Sequence, residues 1–107
     1  MTTPEGKVKD KIRKVLAEFV LDTYWPVPSG YGASHLDFIG CYLGRYIAIE
    51  VKAPGKKPTG RQKLRIRSVQ AAGGIALVID GTDNTTTYDE LRKILEAIER
   101  AETHRKL

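Results

Sequence analysis

The sequence predicts an α/β domain in which one mixed sheet is flanked by helices, with the element order α-β-β-β-α-β-α. Two strand-like runs, 35–42 and 46–52, follow each other across a short glycine-containing turn, which is typical of a β-hairpin. A continuous apolar run at 75–79 is separated from the hairpin by a helical segment, which is typical of a crossover to a parallel strand. At 107 residues the chain can build one such core, so we expect a single domain over residues 1–107.

The first helix is predicted to begin at Thr3 and Pro4, a capping hydroxyl followed by proline at the first helical position. Apolar residues recur at helical spacing as far as Val20, which predicts an amphipathic helix over roughly residues 4–21. Extending this stripe backwards reaches Glu5. Its carboxylate can complement the helix dipole or project towards the sheet, and the residues alone favour the dipole role.

The segment before the hairpin contains prolines and small residues. We expect a short strand at residues 24–28. It should lie at the edge of the sheet, because Pro26 and Pro28 are not tolerated in a central strand. Residues 29–34 predict a flexible loop that leaves room for a ligand beside Asp37.

The second helix is predicted from Thr59 to about Ala72, since Thr59 and Gln62 have capping-box spacing and two glycines follow Ala72. Gln62 heads the apolar stripe of this helix. It can therefore cap the helix, which is the default, or reach a polar site on the sheet.

The last helix is predicted to begin with a second capping box at Thr87 and Glu90. An apolar stripe from Leu91 to Ala101 follows, and we expect the tail 103–107 to fray.

The composition of the chain predicts where the protein is located and what it binds. No apolar run approaches the roughly 20 residues that span a bilayer, and the first residues lack the pattern of a secretory signal, so we expect a cytoplasmic protein without a membrane partner. A single cysteine excludes an internal disulfide, and its position in an apolar strand predicts a packed thiol at Cys41. The net charge of +5 is concentrated in basic clusters at 7–14 and 56–67, which suit a polyanion such as nucleic acid.

Three charged residues of the hairpin share one face of the predicted sheet. Because side chains alternate along a strand, Glu50 and Lys52 lie on the same face. If Leu43 and Gly44 form the turn, Asp37 comes opposite Glu50. If Gly44 and Arg45 form it, Asp37 comes opposite Lys52. In both registers the three charged side chains lie on one face of the sheet.

Two carboxylates within apolar strands need a physical reason, since burying an unpaired ion costs several kcal/mol. They could be exposed residues on the wet face of an edge hairpin. However, Ile39, Cys41 and Ala48 lie on the same face, which favours a covered face where the acids pair with a cation.

The pattern of Asp37, twelve residues, Glu50, one residue and Lys52 on a hairpin resembles the PD-(D/E)xK nuclease superfamily. The three residues have a chemical logic together. Asp37 and Glu50 offer hard oxygen ligands to Mg²⁺, which lowers the pKa of a bound water and offsets charge on the phosphorane-like transition state. Lys52 can orient that water or stabilise the non-bridging phosphate oxygens.

The segments 28–32, 36–40, 44–59 and 72–74 together resemble the virus-type replication-repair nuclease (VRR-NUC) family, in its stand-alone, phage-type form. The proline that often precedes the first acid of the family motif is replaced here by Leu36. The resemblance covers nearly the whole chain and implies a restriction-endonuclease-like fold. It also implies a DNA endonuclease, a hydrolase that depends on Mg²⁺ or Mn²⁺. Such a protein would be similar to the homodimeric Holliday-junction resolvases of DNA repair, recombination and replication. If a bacteriophage encodes the chain, we expect it to act in the cytoplasm of the host.

The resemblance also assigns roles to residues. It implies metal ligands at Asp37, Glu50 and the main-chain carbonyl of Val51, a catalytic lysine at Lys52, and further catalytic-site residues at Glu5 and Gln62. No organic cofactor is expected.

We expect a duplex phosphate to enter over the face of Asp37 and Glu50. Four basic residues are predicted to hold it: Lys56, Lys57, Arg61 and Arg65. Contacts of this kind position a backbone without reading bases, which predicts selectivity for branched or structured DNA. The alternatives are a non-catalytic nucleic-acid-binding module of a phage replication complex, and a sequence-specific or RNA-directed nuclease on the same core.

Overall fold

The computed structural model describes residues 3–27 and 35–106. The elements in chain order are α1 (Pro4–Leu16), β1 (Asp22–Tyr24), β2 (Phe38–Tyr42), β3 (Arg45–Val51), α2 (Gly60–Ala71), β4 (Ile75–Ile79) and α3 (Tyr88–Lys106). The predicted loop at 29–34, together with Pro28, lies outside the described residues. The predicted element order is confirmed.

The four strands form one sheet in the order β1-β2-β3-β4. The pairs β1-β2 and β2-β3 are antiparallel, whereas β3 and β4 are parallel and are connected through α2. The sheet is therefore mixed, as the sequence predicts.

The hairpin between β2 and β3 closes through a two-residue turn, since Tyr42 pairs with Arg45. The turn residues Leu43 and Gly44 both have positive φ angles, 50° and 85°. This is the pattern of a type I′ turn, whose twist matches that of antiparallel strands. It selects the first of the two registers considered, in which Asp37 comes opposite Glu50.

Helices cover both faces of the sheet. Helices α1 and α3 pack on one face, and the main core there is formed by apolar residues that include Val8, Ile12, Ile47, Ile49, Leu91 and Leu95. Helix α2 packs on the other face over a smaller core of Leu36, Ala48, Val69 and Ala76. Glu50 lies on the same side of β3 as Ala48, so it belongs to the face that α2 covers.

The first helix is shorter than predicted. It ends at Leu16 rather than near residue 21, and the amides of Glu18 and Phe19 bond back three residues in a tightened last turn. Phe19 and Leu21 nevertheless pack against the main core, which explains why the apolar pattern continues beyond the helix.

The first strand was predicted too late in the chain. It covers Asp22–Tyr24 instead of 24–28, because its three residues pair with Ile39 to Cys41 of β2 and the chain leaves the sheet before Pro26.

The prediction that the C-terminal tail frays was wrong for residues 103–106, which continue α3. The Thr103 hydroxyl donates to the Glu99 carbonyl at 3.0 Å, and Arg105 pairs with Glu102 one turn before it at 2.6 Å. These local contacts support the last turn. Among the described residues, no helix combines the length and apolar character that a membrane span requires.

The prediction of a packed thiol was also wrong, because Cys41 is exposed. Helix α2 lies over β3 and β4, so the β2 part of that face is less covered, and Ile39 is only half-buried. The face is therefore closed around Ala48 and Glu50 but open towards the other edge of the sheet.

Candidate functional site

Glu50 and Lys52 form a close ion pair at the carboxyl end of β3. The Glu50 carboxylate is buried, with 2% of the residue exposed, and its Oε2 atom lies 3.1 Å from Nζ of Lys52. The Lys52 amide donates to the Ile79 carbonyl at 3.0 Å, which keeps the chain extended beyond the strand. Both side chains therefore remain on one face, as alternation along the strand predicts.

Asp37 lies immediately before β2, beside the end of β3. Its Oδ2 atom accepts a hydrogen bond from the Val51 amide at 2.9 Å, which fixes the carboxylate against the neighbouring strand. The structure thus brings Asp37, Glu50 and Lys52 together, and the main chain of Val51 lies within the same cluster.

Burial and, after it, the negative charge of Asp37 raise the pKa of Glu50 to about 7, although Lys52 has an opposing effect. The charged form of this carboxylate is therefore less favourable than that of an ordinary glutamate. Proximity of a second acid and poor solvation both disfavour its charge, so a cation beside it would be stabilising.

The carboxylates of this cluster do not form a cage on their own. Within residues 3–27 and 35–106, no group of three or more His, Cys, Asp or Glu side chains is arranged to hold a metal ion. An ion bound at Asp37 and Glu50 would need further ligands from main-chain carbonyls, water or a phosphate. Mg²⁺ is usually bound in this way, through one or two carboxylates.

Glu5 lies close to this cluster and is connected to it by Lys9. The Nζ atom of Lys9 lies 3.9 Å from Oε2 of Glu5 and 3.9 Å from Oδ1 of Asp37. Lys9 thus links the Glu5 carboxylate, in the first turn of α1, to Asp37. The sequence reasoning did not identify Lys9, although its position four residues after Glu5 places both on one side of the helix.

Gln62 caps α2. Its Oε1 atom accepts from the Thr59 amide at 2.9 Å, while its own amide donates to the Thr59 hydroxyl at 3.2 Å. This reciprocal pair is the capping box that the spacing predicts. A catalytic role for Gln62 stays a prediction.

The four predicted phosphate-binding residues lie in different places. Lys56 and Lys57 are exposed in the loop after β3 and line a cavity of about 330 Å³ with Asn84 and Thr85. Arg61 is exposed in the first turn of α2.

Arg65 instead lines a separate groove of about 240 Å³ with Tyr46, near the start of β3. Tyr46 is four residues before Glu50, which corresponds to roughly 13 Å along a strand. Of the four predicted phosphate-binding residues, Arg65 is thus the one that lies near the start of β3, whereas Glu50 lies near its carboxyl end.

Asp80, which the sequence reasoning did not identify, holds the loop that follows Lys52. It is 2% exposed, and its carboxylate accepts hydrogen bonds from the amide of Gly55 and from the turn residues Thr82 and Thr85. Burial raises its pKa, but these hydrogen bonds outweigh burial and lower it to about 2. An aspartate followed by Gly-Thr after a strand is a turn signal that could have identified this residue.

Comparison with known proteins identifies the fold. A solved structure described as a VRR_NUC domain superposes on this chain with a TM-score of 0.68, covering 89% of this chain and 97% of that chain at 18% sequence identity. No protein-family model matches the sequence, and no curated protein matches it. The expectation from the sequence resemblance is confirmed for the fold: this chain has the α/β fold of a VRR_NUC domain, with a four-stranded mixed sheet between helices.

Proposed function

We propose that this chain is a VRR-NUC nuclease that hydrolyses phosphodiester bonds in branched or structured DNA with the help of Mg²⁺ or Mn²⁺. The observation that carries the proposal is the convergence of Asp37, Glu50 and Lys52 at the end of β3, in a chain with the fold of a VRR_NUC domain. The raised pKa of Glu50 supports it, because a buried acid beside a second acid favours a cation.

Asp37, Glu50 and the Val51 carbonyl would hold the metal ion. When bound, a divalent cation lowers the pKa of a coordinated water and offsets the charge that develops on the phosphoryl group. The Val51 amide keeps Asp37 oriented towards the site through their 2.9 Å hydrogen bond. Oxygen ligands held in a fixed geometry need no reorganisation during the reaction.

Lys52 completes the reaction chemistry. Its ammonium group lies beside Glu50, where it can donate a hydrogen bond to the attacking water or to a non-bridging phosphate oxygen. The water oxygen forms a bond to phosphorus, the bond to the leaving oxygen breaks, and a proton passes from the water to that leaving oxygen. The same ammonium offsets the repulsion between the two acids before a cation binds.

Contacts from Lys56, Lys57 and Arg61 to phosphates would position the DNA backbone without reading its bases. This supports selectivity for DNA shape over sequence. A four-way junction requires two cuts related by symmetry, and a two-fold homodimer supplies two sites with that relation. We therefore propose Holliday-junction-like substrates and a homodimer.

The test is cleavage of a labelled four-way junction, a splayed arm and a linear duplex in Mg²⁺ or Mn²⁺. Asp37→Asn and Lys52→Met are compared with Asp22→Asn and Lys93→Met, which alter exposed residues of β1 and α3. We expect symmetrical cuts in the junction by the native chain and both control variants. We expect a loss of at least about a hundredfold in both site variants, the scale of a missing transition-state contact.

Circular dichroism would establish that the site variants are folded. If neither metal supports cleavage while all five proteins bind the junction equally, the catalytic proposal fails and the chain is a binding module. Cleavage of a matching RNA instead of the DNA would overturn the substrate class.

A further inference from the structure

Lys9 occupies an unusual position for a lysine on a basic helix. It lies between two carboxylates from different elements, with its Nζ atom 3.9 Å from Glu5 of α1 and 3.9 Å from Asp37 before β2. Its side chain is 29% exposed, as is that of Asp37, so the group lies at the mouth of the site rather than in free solution.

The two oxygens of Asp37 have different partners. Oδ2 accepts from the Val51 amide, on the side of Glu50. Oδ1 faces Lys9, and beyond it the Glu5 carboxylate. A second ion held by both Glu5 and Asp37 would have to compete with the Lys9 ammonium, which lies 3.9 Å from an oxygen of each.

The charges of the cluster also favour one metal ion over two. The cluster contains three carboxylates, Glu5, Asp37 and Glu50, and two ammonium groups, Lys9 and Lys52. With all of them ionised, its net charge is −1. One divalent cation changes this to +1, which a substrate phosphate can neutralise, whereas a second cation would leave +3.

We infer that Lys9 takes the place of a second divalent cation between Glu5 and Asp37, so that each site binds one metal ion. This inference rests on the proposed nuclease function, and it assigns to Lys9 a positioning role towards the two acids. The side chain of Glu5 then acts by holding Lys9 rather than by binding metal.

The test starts from the metal-free chain of 107 residues and counts the Mn²⁺ ions that it binds, by electron paramagnetic resonance of free Mn²⁺ during titration. We expect one ion per chain for the native protein and two for Lys9→Met, which keeps an aliphatic side chain and removes the charge. Lys9→Arg should bind one. The matched control is Lys14→Met, an exposed lysine of the same helix, and it should also bind one.

A second pair of variants locates the additional ion. Adding Glu5→Gln to Lys9→Met should return the count from two ions to one, because the second ion loses a carboxylate. Melting curves followed by circular dichroism would establish that every variant is folded.

The outcomes separate this inference from the proposed function. Two ions on the native chain, or one ion on both the native chain and Lys9→Met, would overturn the role of Lys9. If the native chain and Lys9→Met each bind one ion and Asp37→Asn abolishes this binding, the role of Lys9 is wrong but the proposed metal site at Asp37 and Glu50 is still supported. No bound ion on the native chain, or binding unaffected by Asp37→Asn, would refute both.

Discussion

Two buried acids in this chain have opposite electrostatic surroundings. Glu50 and Asp80 are each 2% exposed, but the pKa of Glu50 is raised to about 7 whereas that of Asp80 is lowered to about 2. Asp80 accepts four hydrogen bonds from the chain around it, while Glu50 faces the negative charge of Asp37. Asp80 is therefore a structural residue, and Glu50 is the one that a cation would stabilise.

Asp80 should make the stability of the fold depend on acid pH. Its pKa is lower in the folded chain than in the unfolded chain, so its contribution is full above pH 5 and disappears as pH falls towards 2. Asp80→Asn should lower the free energy of unfolding at pH 7 by about 1–3 kcal/mol, because an amide cannot accept all these bonds. Urea denaturation between pH 7 and pH 2 would measure both effects.

The control for this experiment is Asp83→Asn, an exposed acid of the same turn. It should leave the unfolding free energy within about 0.5 kcal/mol of the native value. If Asp80→Asn keeps the native acid dependence, the hydrogen bonds to Asp80 do not have the effect assigned to them.

At the scale of elements, the turn of the hairpin decides where the acids meet. Phe38 pairs with Ile49, so Asp37 comes directly opposite Glu50, and the two-residue loop of Leu43 and Gly44 sets this register. Leu43 has a φ of 50°, a conformation that leucine adopts at a cost. The observed register is thus achieved with an unfavourable residue in the turn.

Leu43→Asn should stabilise the chain by about 0.5–1 kcal/mol, or roughly 4 °C in Tm, since asparagine tolerates a left-handed conformation in type I′ turns. Leu43 is 43% exposed and lines an open groove beside α3, so the loss of its packing should be the smaller effect. Thermal melting would measure the change.

The control is Gly44→Ala, which should change stability in the opposite direction. A Cβ at this position meets no neighbour, so the substitution should lower the free energy of unfolding by about 1 kcal/mol through backbone strain alone. A lower Tm for Leu43→Asn would mean that packing of Leu43 dominates.

For the whole molecule, the distribution of positive charge should govern DNA binding. The chain has a net charge of +5, and the loop after β3 presents Lys56 and Lys57, four and five residues beyond Lys52, as exposed side chains. Phosphate contacts release counterions, so affinity should fall steeply with salt and with little regard to sequence.

Replacing both Lys56 and Lys57 by alanine should reduce the slope of log K against log salt by roughly two. Fluorescence anisotropy of a junction in Ca²⁺ at several salt concentrations would measure it. A matched double variant, Lys93→Ala with Arg100→Ala, removes the same charge from α3 on the opposite side of the sheet and should keep the native slope. Equal slopes for the two double variants would show that the loop is not the binding surface.

The sequence by itself determined the order of the elements, the hairpin, and the common face of Asp37, Glu50 and Lys52. These depend on local rules: alternation along a strand, capping residues and a short turn. The tertiary structure decided which of two hairpin registers forms, that Lys9 reaches Asp37, that Arg65 lines a separate groove, and that Cys41 is exposed. Each of these depends on how elements far apart in the chain pack together, which residue spacing does not specify.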